Sequence, residues 1–163
     1  MGWFDKVSTF FGGHGVAIKA TSIERMPPDQ AFLPVGDSVI KGQYEITFDK
    51  EVEVLAHIAE FFVMKKHADG REEQILLGDD RQDADQQVIG AEINAPYTAK
   101  KGQVVKTGFC IIRVDIPATL RQLGYANDSD ATKPELSFYV RLTADVKGTI
   151  LDADCKVPVR IQV

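Results

Sequence analysis

The strongest constraint in this 163-residue chain is a strict alternation of apolar and polar side chains with a period of two. It runs through residues 38–49 and returns in 136–146 and 155–163. Successive side chains of a β-strand point to opposite faces, so each segment is predicted to be a strand with one buried face. The predicted inward residues are Ile40, Tyr44, Ile46 and Phe48, then Phe138, Val140, Leu142, Ala144 and Val146, then Val157, Val159, Ile161 and Val163.

Further segments are rich in β-branched and aromatic residues and are also predicted to be strands. Asp69-Gly70 separates two of them and is a typical hairpin turn. Pro117 and Gly124 delimit one short internal helix. Strands without alternating helices predict an all-β chain, a two-sheet antiparallel sandwich of the immunoglobulin-like kind. The additional predicted strands are 15–24, 51–66, 72–78, 86–93 and 104–114.

The last predicted strand, 155–163, contains Pro158. Proline has no backbone N–H to donate to a neighbouring strand. This strand is therefore expected at a sheet edge or beside a bulge.

The first twelve residues are predicted to form a separate amphipathic helical arm, and 13–163 is predicted to be the sandwich domain. Five apolar residues of the arm recur at a spacing that places them on one face of a short helix. A helix this short is marginal in water unless it docks on another surface. Its own sandwich and a second copy or partner protein remain open as docking surfaces. These candidate partner-binding residues are Trp3, Phe4, Val7, Phe10 and Phe11.

Charge and targeting signals narrow the class of protein. The formal net charge is -5 and the sequence pI is about 5.2, without the basic stripe of a nucleic-acid-binding protein. The polar face of the arm carries only Lys6, which disfavours a membrane surface. The sequence shows neither a signal peptide nor a window of about 20 apolar residues for a membrane span. With only Cys110 and Cys155, we expect a cytoplasmic protein with reduced thiols.

Within residues 32–63, Pro34, Gly36 and Asp37 make a Pro-Gly-acidic turn motif that leads into a predicted strand with the central Gly42. This stretch resembles the first strands of arrestin-like domains. Residues 138–163 resemble the closing hairpin of the same domain. Among bacterial proteins, the likeness is to the sporulation-control family of the stage-zero-M type. The matching residues in the first stretch are Pro34, Gly36, Asp37, Val39, Gly42, Ile46, Val54, Ile58 and Phe61.

This resemblance implies an arrestin-like interaction module in regulation or stress response, with no chemistry of its own. Members of that family usually carry a second sandwich domain, for which this chain is too short. Arrestin-type phosphate sensing needs basic residues gathered on early strands, whereas 15–24 offers only Lys19. Phosphate binding is therefore not part of the prediction.

Catalytic chemistry finds little support in the sequence. Among the three histidines, His14, His57 and His67, we interpret His57 as a hydrogen-bonded, partly buried strand residue. We interpret Cys110 as a small core thiol, because buried cysteines are usually inert, although a Cys110–His57 nucleophile pair is a lesser alternative. The prediction is a non-enzyme without a cofactor that binds a partner protein and forms a homodimer through the arm or an edge strand.

The aspartate-rich loops support an alternative function. Loops at one end of a sandwich can gather carboxylates around Ca²⁺, which takes six to eight oxygen ligands. The same residues are also normal turn formers. The alternative is therefore a Ca²⁺-responsive sandwich, with candidate ligands Asp79, Asp80, Asp83, Asp85, Asp152 and Asp154.

Overall fold

The computed structural model describes residues 15–89, 91–149 and 153–163. This part of the chain contains nine strands, one α-helix (α1, Ile116–Gln122) and two short 3-10 helices (Pro28–Gln30 and Asp128–Thr132). The strands are β1 (Val16–Ile23), β2 (Phe32–Pro34), β3 (Ile40–Phe48), β4 (Val52–Lys66), β5 (Glu72–Gln82), β6 (Tyr97–Ala99), β7 (Val104–Ile111), β8 (Leu136–Val146) and β9 (Ala153–Gln162).

The strands form two sheets, which confirms the predicted β-sandwich. The small sheet has the order β1-β3-β7. The large sheet has the order β2-β9-β8-β4-β5, and β6 pairs with the beginning of β4. Every pairing is antiparallel except that of β2 with β9, which is parallel.

The apolar residues predicted to face inward on β3, β8 and β9 form the core between the sheets, except Val163, which lies just beyond β9 and is exposed. Along β9, buried and exposed residues alternate without interruption from Ala153 to Gln162. Phe61 of β4 and Phe138 of β8 meet in this core with ring centroids 6.0 Å apart. The alternation read from the sequence therefore reports which face of each strand is buried.

Strand β4 is apolar on both faces because both faces are covered. Phe61 points into the core, whereas the next residue, Phe62, projects from the opposite face and is still only 1% exposed. Tyr139 stacks against Phe62 at 5.5 Å, and the Arg141 guanidinium lies 5.9 Å from its ring centre. Arg141 also forms an ion pair with Glu60 at 2.7 Å. A small cluster on the outer sheet surface thus buries the second apolar face.

The edge position expected for the last strand is correct only in part. β9 pairs with β8 on one side, and β2 adds to its other side over Arg160–Gln162. Pro158 precedes that second pairing, so it lies where β2 does not reach. The missing N–H of the proline is therefore tolerated although β9 is an inner strand of the sheet.

The strand predicted over 86–93 is wrong. Its described residues form an irregular loop, because the side chain of Asn94 binds both backbone groups of Val88. Asn94 Oδ1 accepts from the Val88 N–H at 2.8 Å, and Nδ2 donates to the Val88 carbonyl at 3.2 Å. The strand predicted over 104–114 ends at Ile111, and Arg113 beyond it has a φ of 59°. The short strands β2 and β6 were not predicted.

The internal helix α1 forms close to the predicted position. The Asp115 side chain accepts a hydrogen bond from Ala118 N at 2.9 Å and caps the first turn. Gly124 follows the helix with a φ of 93°, a conformation that glycine adopts without strain. Among the described residues, no helix is long and apolar enough to cross a bilayer.

Gly42 generates the first testable prediction, because the ring of Phe109 occupies the space where a side chain would lie. A Cβ at Gly42 would meet Phe109 Cζ at 2.7 Å and the Ser22 carbonyl oxygen at 2.7 Å. We expect Gly42→Ala to lower the free energy of unfolding by about 1–3 kcal/mol, as overpacked cores do. Urea denaturation measures this loss. Gly36→Ala is the control, since a Cβ at that position would have no described atom within 4 Å apart from those of Gly36 and its chain neighbours. An equal effect of both substitutions would contradict the steric explanation.

Candidate functional site

An open groove of about 1150 Å³ lies where the small sheet meets the loop that follows β5. β1, β3 and β7 supply one wall, and Val88, Ile89 and Ala91 supply part of the other. Two apolar side chains of this loop are exposed at the groove, Val88 at 40% and Ile89 fully. Charged residues of both signs also line the groove: Glu24, Arg25, Asp37, Lys41, Asp80 and Lys106.

A tight turn forms one rim of the groove. Ile23 and Met26 exchange two backbone hydrogen bonds of 2.9 Å across it. The two residues between them, Glu24 and Arg25, have φ values of 50° and 62°. Non-glycine residues in this left-handed region carry strain. The turn is held by Glu24, whose carboxylate accepts from the backbone N–H of Lys41 at 2.6 Å.

The groove is braced by two side chains of β5 that bind the backbone of β7. Asp80 Oδ2 accepts from the Cys110 N–H at 2.9 Å, and Gln82 Nε2 donates to the Gly108 carbonyl at 2.8 Å. Strand β7 is an edge of the small sheet, so its outward backbone groups need partners. Asp80 and Gln82 supply them in place of another strand. We call this pair the edge clasp; it joins the two sheets on one side of the sandwich.

Behind the clasp lies a buried polar cluster centred on His57, which is 1% exposed. Its Nε2 lies 2.8 Å from the Tyr97 hydroxyl, and its ring packs edge-on against Tyr44. Nδ1 has no hydrogen-bond partner in the described part of the chain. Burial lowers the pKa of His57 to about 4, although the neighbouring Gln82 side chain opposes the shift. Burial also raises the pKa of both tyrosines, so all three groups are neutral near pH 7.

His57 is hydrogen-bonded as predicted, and it is buried more fully than predicted. The interpretation of Cys110 as a core thiol is wrong: this residue is exposed, and the buried cysteine is Cys155. Cys110 faces out because the inward residues of β7 are Val105, Phe109 and Ile111. An exposed Cys110 thiol and a secluded His57 ring do not form the contact that a nucleophile and its base require.

The aspartates proposed as Ca²⁺ ligands have separate structural environments. Asp79 and Asp80 lie on β5, whereas Asp154 lies on β9 opposite Thr143. Asp83 holds the turn after β5 by accepting from Arg81 Nε at 2.8 Å and from two backbone N–H groups, which lowers its carboxyl pKa. Asp85 lies in the same turn.

No three His, Cys, Asp or Glu residues of the described ranges form a group that could hold a metal ion. Asp152 lies outside those ranges. The Ca²⁺ hypothesis therefore gains no supporting site in the described residues. The five candidate partner-binding residues of the arm also lie outside them: Trp3, Phe4, Val7, Phe10 and Phe11.

These two sheets define an arrestin-like β-sandwich. Among solved structures, the chain is similar to the crystal structure of Spo0M, sporulation control protein, from Bacillus subtilis, with a TM-score of 0.60 and 10% sequence identity. The match covers 91% of this chain and 50% of the other, so the chain spans about half the length of the Spo0M structure. At this identity the likeness shows the fold alone, and it confirms the fold implied by the sequence resemblance.

A second solved structure, the C-terminal domain of wzt, matches 93% of this chain and 76% of its own length, with a TM-score of 0.43 and 11% identity. No family model and no curated protein sequence matches the chain.

The burial of His57 predicts a pH dependence of stability. The unfolded chain takes up a proton near pH 6.5, whereas the folded chain resists protonation until about pH 4. Stability therefore falls as the pH drops through this window. We expect a loss of about 2 kcal/mol between pH 7 and pH 5 in the wild type and a much smaller loss in His57→Gln. Urea denaturation at each pH measures this loss. Parallel curves for wild type and His57→Gln would contradict this assignment.

The edge clasp predicts a second, local effect. Asp80→Ala removes the acceptor of the exposed Cys110 N–H, which we expect to cost about 0.5–1.5 kcal/mol of stability, because water can replace the carboxylate. Hydrogen exchange of the Cys110 amide should accelerate selectively. Asp79→Ala, on the same strand and exposed, is the matched control and should change neither quantity. Unchanged protection of Cys110 in Asp80→Ala would show that the clasp does not hold the two sheets.

Proposed function

We propose that this chain is a non-enzymatic, arrestin-like protein-interaction module with a regulatory role. The observation that carries the proposal is the open groove, flanked by the exposed apolar side chains of Val88 and Ile89. Pockets for small molecules usually enclose most of their ligand and are lined mainly by apolar groups. A wide groove with a mixed charged lining and protruding apolar residues suits the surface of another protein.

The regulatory part of the proposal rests on the likeness to Spo0M, which is described as a sporulation control protein. A related role in sporulation or stress control, in the cytoplasm of a bacterium, is the corresponding proposal for this chain. A net charge of -5 favours a protein partner over nucleic acid or an anionic membrane. No observation among the described residues favours the Ca²⁺ alternative.

Partner binding and self-association are proposed to use the N-terminal arm. Its apolar face in the sequence contains Trp3 and three phenylalanines, and aromatic residues often dominate binding energy at interfaces. An edge strand remains the second route to a homodimer. For β9, this route is restricted to the stretch before Arg160, because β2 occupies the rest of that edge.

Substitution of the arm tests the proposal. We expect Trp3→Ala/Phe10→Ala to abolish self-association in sedimentation velocity and to remove partners captured from a lysate of the native host, because both aromatic anchors are lost. The melting temperature should stay within about 2 °C of wild type, as for a substitution outside the core.

Ser8→Ala/Thr9→Ala, on the predicted polar face of the arm, is the matched control and should behave as wild type. An unchanged assembly state and unchanged capture in Trp3→Ala/Phe10→Ala would refute the arm as a binding element. A large fall in melting temperature would instead make the arm part of the core of its own sandwich.

A further inference from the structure

Strand β5 has an open backbone edge. On one side it pairs with β4 from His57 to Lys66. On the other side, only its last part meets the small sheet, through Asp80 and Gln82. Over residues 72–77, no backbone group of β5 bonds another element on that side, within the part of the chain that the structure describes. Every second residue there presents an N–H and a carbonyl that a further strand could bind.

The open edge carries an apolar centre. Ile75, Leu76 and Leu77 follow one another, and Leu76 is 52% exposed. The ladder with β4 shifts register beside Leu77, which interrupts the regular alternation. The backbone carbonyl oxygen of Ile112 lies 3.5 Å from the position that a Cβ on the neighbouring Gly78 would take, and Ile112 is 53% exposed. Leu76 and Ile112 are therefore two exposed apolar residues near Gly78.

Carboxylates flank this centre at both ends. Glu72 and Glu73 precede it, and Asp79 and Asp80 follow it. His67 lies 3.0 Å from Glu73, and Asp80 is held in the edge clasp. Glu72 and Asp79 have no ion-pair partner among the described residues. The edge thus has the pattern acidic–apolar–acidic.

This charge pattern discriminates between occupants. If the apolar triplet paired with itself in an antiparallel second copy, Glu72 would face Asp80 and Glu73 would face Asp79. Like charges directly opposite one another in a sheet are destabilising. An extended segment with Lys or Arg on both sides of its apolar centre would instead place opposite charges together.

We propose that the Glu72–Leu77 edge of β5 binds an extended segment of a partner protein with the pattern basic–apolar–basic, which adds to the large sheet as a further strand. The inference rests on the proposed function, since it specifies the chemistry of one protein partner. Main-chain hydrogen bonds supply affinity in such strand addition, and alternate side chains supply specificity. The apolar residues of the segment contact Leu76 and Ile112, and its cations face Glu72 and Asp79.

The test uses the full chain and a defined probe. The probe is a capped seven-residue peptide with two Lys at each end and Val-Ile-Val in the centre, titrated by fluorescence anisotropy at low salt. A second peptide has Glu in place of each Lys, and a third has Pro in place of the central Ile. We expect the first peptide to bind in the micromolar range and the other two to bind at least tenfold more weakly.

Two substitutions on the edge locate the site. Leu76→Lys removes exposed apolar surface and repels the basic peptide, and Asp79→Lys reverses one flanking charge; each should weaken binding at least tenfold. Val163→Lys, at another exposed apolar residue, is the matched control and should bind as wild type. The double variant Glu72→Lys/Asp79→Lys should bind the Glu peptide more tightly than the Lys peptide. Circular dichroism confirms that each variant is folded.

The possible results distinguish a failure of this inference from a failure of the proposed function. No binding of the Lys peptide by the wild type at 1 mM, or equal binding by Leu76→Lys, would overturn the inference. A wild-type dimer that Leu76→Lys dissociates would assign the edge to a second copy and would also overturn it. If host partners are still captured while the peptide fails, the proposed function stands and only this edge is wrongly assigned. If wild type captures no partner and does not self-associate, the proposed function fails as well.

Discussion

The register of β4 is the constraint on which the rest of the structure depends. This fifteen-residue strand pairs with β8 along one side and with β5 and β6 along the other. A shift of one residue would exchange its two faces, moving Phe61 out of the core and Phe62 into it. The shift would also change which residues of β5, β6 and β8 lie opposite each residue of β4. The outer cluster at Phe62 and the core at Phe61 therefore specify one register together, and the clasp residues of β5 depend on it.

The sequence predicts those parts of the fold that have a local signal. Alternation identified β3, β8 and β9 and their buried faces, because one-sided burial leaves a period of two in the chain. The three-residue strands β2 and β6 leave no such trace, since each exists only through its partner in the large sheet. The segment around Val88 has strand-like composition, but the side-chain amide of Asn94 binds the backbone groups of Val88 that a strand would use for pairing. Short-range composition could not reveal that competition.

The candidate site was less accessible to prediction than the fold. Asp80 was selected as a possible metal ligand, yet its carboxylate binds a backbone N–H thirty residues later in the chain. Cys110 was placed in the core because its neighbours are apolar, and only the observed register places it outside. Both errors concern side-chain direction, which depends on long-range pairing. The arrestin-like fold was implied by the resemblance of two stretches of the sequence to arrestin-like domains, and the likeness to Spo0M bears it out at the level of fold.

The parallel pairing of β2 with β9 has a consequence for how the chain is made. Phe32 and Arg160 are register partners although they lie more than a hundred residues apart. On the ribosome, β2 emerges before β9 and lacks its neighbour in the sheet until 160–162 have left the exit tunnel. β8 likewise lacks one of its two partners until then. The large sheet is therefore completed only after synthesis of its last strand, and until then the nascent chain exposes unpaired strand edges to chaperones.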